Sequence, residues 1–134
     1  LYALSQTLLH DKINWKVTHG LNREQMTARY AKMFPNAQYP ADFQTALAYG
    51  AGVVAEEMIK KAQSLDAAKL KQAALDLNDK MVTITGEYQI DSTGKQFKNE
   101  FAIMQNMPTG PEVVYPPAVA TAKGVYPAPA FNAR

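Results

Sequence analysis

The sequence predicts an α/β fold of three or four helices with a small sheet and a β-hairpin. Two observations carry that expectation: three apolar stripes at helical spacing, each behind a capping residue, and short segments in which apolar and polar side chains alternate. Composition agrees. Apolar residues make up 47% and charged residues 19% of the 134 positions, which is ordinary globular composition and enough chain for one domain with a core of its own.

The elements follow in order. Leu1, Leu4 and Leu8 fall at helical spacing, so residues 1–9 read as a short helix or the tail of one. The segment KINWKVT then alternates Ile13, Trp15 and Val17 against Lys12, Asn14 and Lys16, the pattern of a half-buried strand that Gly20 closes. Asn22 with Gln25 three residues on has the form of a capping box, and Met26, Tyr30 and Met33 or Phe34 recur along one face of a helix from Arg23 to about Phe34. Pro35 and Pro40 bound a turn.

From Ala41 runs the strongest helical pattern, ADFQTALAYGAGVVAEEMIKKAQ, with Phe43, Leu47, Gly50, Val54 and Met58 or Ile59 on one stripe. Its uncharged, small-residue front half is expected to be buried on most sides. Its back half pairs Glu56 with Lys60 and Glu57 with Lys61 one turn apart and is expected to be wetted. Asp66 can cap a further helix, with Leu70, Ala74 and Leu77 as its apolar face. MVTITGEYQID then reads as two short strands broken at Gly86, DSTGK as a polar turn, and FKNEFAIMQ as the strand that completes a hairpin beside the helices.

Charge and composition exclude several functions. Lysines and arginines exceed acids by a formal +2 and lie scattered among them, so no basic stripe for nucleic acid exists. The longest uncharged stretch, behind Asp42, is far below the ~20 apolar residues of a membrane-spanning helix. Without cysteine there are no disulfides, thiolate metal sites or thiol nucleophiles. The opening LYALSQTLLH has neither a basic n-region nor a small-residue cleavage site, so it does not read as a signal peptide, and a pattern already under way at Leu1 suggests a piece of a longer chain.

Candidate chemistry is sparse. His10 and His19 stand nine residues apart outside any zinc-binding spacing. Glu56 and Glu57 point ~100° apart on a helix and have lysine partners, so they read as a solvated face rather than an acid–base pair. GAG at Gly50–Gly52 lies inside a helix without the preceding strand a phosphate loop needs, and STGK at Ser92–Lys95 sits in a hairpin turn. What remains is an aromatic and acidic group at element ends: Trp15, Tyr39, Asp42 and Phe43. Core packing and helix capping account for most of it, although a helix N-terminus is also where small carboxylates bind.

The ending EVVYPPAVATAKGVYPAP, Glu112–Pro129, carries Pro116, Pro117, Pro127 and Pro129 and can be neither a regular helix nor a central strand. Four motifs now stand in order: PADFQTALAYGA, QSLD, ITGEYQIDSTG and VVYPPAVATAK. In that order they resemble the C-terminal part of type I periplasmic substrate-binding proteins of ABC importers. The closest likeness is to the branched-chain amino acid binding family, the leucine/isoleucine/valine-binding or extracellular ligand-binding receptors.

The resemblance implies a fragment of a Rossmann-like lobe from a two-lobed, non-enzymatic protein that closes on a ligand by a hinge. Residues 1–111 would be the remnant of the second lobe and residues 112–134 a proline-rich strap whose Tyr115 and Tyr126 pack their rings. It implies a periplasmic location, no cofactor, and a small carboxylate-bearing ligand: a branched-chain or other hydrophobic amino acid, or a small aromatic acid. Trp15, Tyr39, Asp42 and Phe43 would be the ligand contacts in this part of the cleft. The partner would be an ABC permease in the membrane, and strand edges left open by missing parts would invite self-association or domain swapping. The alternative with the same fold is the ligand-sensing domain of a receptor or regulator.

Overall fold

The computed structural model describes residues 1–13, 15–98 and 101–130. Its helical part starts where the capping residues predict. Asn22 Oδ1 accepts from Gln25 N at 2.9 Å and Gln25 Oε1 accepts from Asn22 N at 3.1 Å, a reciprocal capping box that opens α1, Arg23–Met33. Asp42 opens α2, Phe43–Ala62, by accepting from Thr45 N at 2.8 Å and Thr45 Oγ1 at 2.7 Å. Asp66 accepts from Lys69 N at 3.1 Å and opens α3, Ala67–Asp76. Each cap satisfies donors that the first turn leaves without an intrahelical partner.

After α3 the chain turns through Asp79 at φ 59° into a two-stranded antiparallel ribbon of β2, Val82–Thr83, and β3, Gly86–Glu87. The break between these strands is Ile84–Thr85, and Gly86 begins the second strand at φ 105° instead of separating the two. Leu77, Met81 and Tyr88 form the buried cluster under α2, with Val54, Met58 and Ile90 packed on it. Asn78 ties the ribbon down with a two-pronged contact, donating to Ile90 O at 2.7 Å and accepting from Ile90 N at 2.8 Å. Residues 15–98 form one compact unit.

Three expectations are corrected within this unit. KINWKVT is not a strand: residues 15–18 join no ladder, Val17 N donating instead to Trp15 O at 2.9 Å in a tight turn, and Asn14 lies outside the described residues. The period of two survives in burial, with Trp15 and Val17 half-buried and Lys16 exposed. Bonds to Val82 replace the ladder here, through the backbone as well as through the Thr18 hydroxyl. Val82 O accepts from Thr18 N at 2.9 Å and His19 N at 3.1 Å, and Val82 N donates to Thr18 Oγ1 at 3.0 Å. The front of α2 is not buried on most sides either; Ala46, Gly50 and Val53 are buried, whereas Ala48, Ala51, Gly52 and Ala55 face outward. On α1, Met26 is buried but Met33 and Phe34 are exposed.

The second compact unit joins the two ends of the sequence, residues 1–13 and 101–130. Its sheet has the order β1-β4-β5, with β1 at Leu4–Thr7, β4 at Ala102–Met107 and β5 at Gly110–Tyr115, all antiparallel. The expected helix over residues 1–9 is therefore a strand. Its leucine spacing suits a helix, but its backbone partners lie in β4, about a hundred residues away, where no local pattern can announce them. The strand in FKNEFAIMQ also belongs to this sheet and not to the ribbon; Gln96 makes the ribbon's return instead, through its bridge to Ile90, while Asn99 and Glu100 lie outside the described residues. The strap contributes β5 at the sheet's edge, where proline is tolerated, followed by a 3-10 turn at Pro117–Val119. Tyr115 and Tyr126 do not pack their rings: they are 56% and 95% exposed.

Buried Leu8, Ile13, Ala102, Met107 and Val113 make the apolar part of this unit. Beside Thr7, which is equally buried, Gln105 makes the polar part, itself only 2% exposed. Its Nε2 donates to Tyr2 O and Val125 O, each at 3.1 Å, and its Oε1 accepts from Val125 N at 2.8 Å. One amide thus fastens the first strand's approach and the C-terminal strap to β4.

Among the described residues no helix is long and apolar enough to cross a membrane.

Candidate functional site

In residues 15–98, α2 and α3 diverge from the β2–β3 ribbon and leave a cavity of about 600 Å³. The stripe expected to be core, Leu47, Gly50, Val54 and Met58, forms one wall, and Ala74 and Leu75 of α3 form a second. Tyr88, Ile90 and the Thr83–Thr85 turn close the floor. The size falls in the ~300–1,000 Å³ range of small-molecule pockets, as does the pattern of apolar walls with a few polar groups.

Close approach of backbone shapes the floor. A Cβ on Gly50 would stand 2.7 Å from Thr85 Cγ2, so only glycine lets α2 meet the ribbon there. This explains the first glycine of GAG by packing, while Gly52 faces open space. Thr83 and Thr85 share a hydroxyl contact at 2.8 Å, and Thr85 N donates to Thr83 Oγ1 at 3.2 Å, which leaves the buried Thr83 hydroxyl satisfied. Burial pushes the Tyr88 phenol above its ordinary pKa.

The rim is polar, with Lys71 on α3 and Asp91, Thr93 and Gln96 on the turn. Asp91 makes STGK a self-contained turn: its carboxylate accepts from Thr93 Oγ1 at 2.6 Å, Thr93 N at 2.8 Å and Lys95 N at 3.1 Å. Those bonds, the Thr93 hydroxyl first, hold its pKa below the ordinary carboxylate value. Chemically the cavity can take an apolar body and leave a polar group at the mouth.

None of Trp15, Tyr39, Asp42 and Phe43 lines this cavity. Tyr39, 71% exposed, borders a smaller hollow of about 270 Å³ with Tyr30, Phe34, Pro35 and Pro40, where the Tyr30 and Phe34 rings pack at 5.0 Å. Asp42 is exposed and spends its carboxylate on capping α2; the Thr45 N–H is the main reason its pKa is lowered. Phe43 and Trp15 are half-buried. Trp15 Nε1 is the notable atom of the four, because it is buried and has no acceptor among the described residues.

The acidic pair on α2 is an ion-pair cluster: Glu56 meets Lys60 as expected, while Glu57 also takes Lys60 instead of Lys61. Glu56 and Glu57 both converge on Lys60, at 2.7 and 2.9 Å, and together they raise its pKa, Glu56 foremost. His19 Nε2 stands 4.0 Å from the other oxygen of Glu57 and its Nδ1 meets Thr18 Oγ1 at 2.9 Å. Among the described residues no group of three or more histidine, aspartate or glutamate side chains is placed to hold a metal ion.

No family model matches the chain, and no curated protein matches it.

The cavity walls were visible in the sequence only as helix stripes. Leu47, Val54 and Met58 have the spacing of core residues, and nothing local distinguishes a stripe that meets a neighbour from one that meets space. The polar rim around Asp91 carried a turn signature and no ligand signature.

Proposed function

We propose that the chain is the C-terminal part of a solute-binding protein of an ABC importer, which takes a small carboxylate-bearing ligand in a cleft between two lobes. The observation that supports this reading is the path of the chain. Residues 1–13 and 101–130 build one unit and everything between them builds another, so the chain passes out of the first unit and later returns to it. A two-lobed binding protein requires such a path, since its lobes are joined by crossing segments. The order of the four sequence motifs agrees with it.

On this reading Trp15, Tyr39, Asp42 and Phe43 face the cleft. The ligand is a branched-chain or other hydrophobic amino acid or a small aromatic acid, the location is periplasmic, and the partner is a membrane permease.

The test uses the complete gene product. Its thermal unfolding is followed against a panel of amino acids and aromatic acids, and uptake of labelled ligand is compared in source cells with and without the gene. A binder at a hundred times its dissociation constant stabilises the fold by ~2.7 kcal/mol, and uptake of that ligand falls when the gene is removed. Stabilisation with unchanged uptake would favour the sensing alternative. No stabilisation by any member, with uptake intact, would overturn both.

A further inference from the structure

The two edges of the β1-β4-β5 sheet are finished differently. On β5, Val113 O accepts from Thr121 N at 2.7 Å and Ala122 N at 3.2 Å, and Val113 N donates to Thr121 Oγ1 at 2.9 Å. Pro111 and Pro116 offer no N–H at all. That edge is closed to a further strand.

Among the described residues β1 has no such device. In an antiparallel pair, residues alternate between those that exchange backbone bonds with their opposite number and those that turn these groups away. Asn106 N donates to Ala3 O at 2.9 Å, and the register continues through Leu4 opposite Gln105 and Ser5 opposite Met104. Ser5 and Thr7 therefore bond toward β4, while Leu4 and Gln6 direct their N–H and C=O groups outward. Leu4, Ser5 and Gln6 are all exposed. The surrounding LYALSQTLL has no charged side chain, no proline and no glycine, and Leu1 and Leu4 are 48% and 64% exposed. Charges and prolines are what natural edge strands use to prevent pairing.

We propose that β1 pairs with β1 of a second copy of this chain, antiparallel about a two-fold axis through Ser5. The outward groups fix the register. Leu4 opposite the partner's Gln6, and Gln6 opposite the partner's Leu4, forms four backbone hydrogen bonds, whereas a register centred on Leu4 or on Gln6 forms two. The Ser5 side chains then meet at the axis, where a small residue suits the close spacing of a pair that exchanges no bonds. The arrangement is isologous, with the same patch used on both copies. It yields a six-stranded sheet whose outer edges are both β5, already closed. An uncharged strand gives no electrostatic preference for a foreign charged segment, while its outward groups match a copy of itself.

The absence of cysteine provides the test. Ser5→Cys places a single thiol at the axis, where an expected Cα separation of about 4.5 Å lies within the ~4.4–6.8 Å that a disulfide spans. Under mild oxidation it is expected to form covalent dimer at least about tenfold faster than Thr93→Cys, an exposed thiol on the Asp91 turn. Sedimentation of the unsubstituted chain should show a reversible dimer. Gln6→Pro removes two of the four bonds without touching those to β4, and should raise the dissociation constant about tenfold or more. Ser5→Lys and Ser5→Glu should each dissociate alone and associate when mixed. A monomeric chain whose Ser5→Cys variant crosslinks no faster than Thr93→Cys would overturn the proposal. So would a dimer indifferent to Gln6→Pro and to the Ser5 charges, since its interface would lie elsewhere.

Discussion

Residues 15–98 and the unit formed by residues 1–13 with 101–130 are held together by different means. The first is contiguous. Its three helices start at side-chain caps a few residues long, and its packing centres on Leu77, Met81 and Tyr88, all within a dozen positions of one another. The second is assembled from opposite ends of the sequence, and a single buried amide, Gln105, makes contacts to Tyr2 and to Val125 that no apolar side chain could replace. A contiguous unit pays its ordering cost over short loops, whereas joining distant segments costs more loop-closure entropy before any contact forms. The difference predicts where each unit breaks.

The largest effect is expected from Met81→Ala. Met81 is 1% exposed at the centre of the apolar cluster, and truncation of such a side chain costs about 2–5 kcal/mol; amide exchange in α2 and α3 is the readout. Gln105→Leu is the matching blow to the other unit. It keeps the volume but leaves Val125 N–H without its acceptor, and a loss of about 1–3 kcal/mol is expected, read at the amides of β4 and β5. If Gln105→Leu is silent there, the sheet is held by its apolar side chains alone and the contrast between the units disappears.

Asp66→Ala tests whether the contiguous unit depends on its caps. About 1 kcal/mol is expected, seen in a lower denaturation midpoint with an unchanged denaturant slope. The smallest effect concerns pH. The folded pKa of Asp91 lies below its unfolded value, so its contribution is complete above the unfolded value near 4 and is lost as pH falls through the folded one. An NMR titration should show Asp91 protonating below ordinary aspartates, and Thr93→Val should move it back toward them.

The same contrast explains what was legible in the sequence. Asn22 with Gln25, Asp42 and Asp66 announced three helices because a cap and its target lie three residues apart. Gly94 and Asp91 announced a turn for the same reason. Leu1, Leu4 and Leu8 misled, since their helical spacing is real but the backbone of Leu4–Thr7 answers to β4. KINWKVT misled in another way: the alternation fixed which side chains are covered, while Thr18 supplied with its hydroxyl the bond a ladder would have made. Trp15, Tyr39, Asp42 and Phe43 share only their place near element ends in the sequence pattern. Two of them, Asp42 and Tyr39, sit exposed with a capping duty and in a shallow hollow respectively, and the larger cavity arose from helix stripes that periodicity could only label as core. Mixed helices and small antiparallel sheets were predictable; the exchange of strands between the two ends of the chain was not.

Gln105 also bears on how this polypeptide could be rewired. Tyr2 O and Val125 O both lie 3.1 Å from the same nitrogen, so residues near the two ends of the sequence meet at one point. The Ser92–Gly94 turn in the other unit is exposed, and a side chain added at Gly94 would meet nothing within 4 Å. Segments that meet and a turn with free space suit circular permutation. With a linker from the strap to residue 2 and the chain reopened at Gly94, β1 would follow β5 in sequence, and the separation between β1 and β4, the most distant pairing in the fold, would shorten.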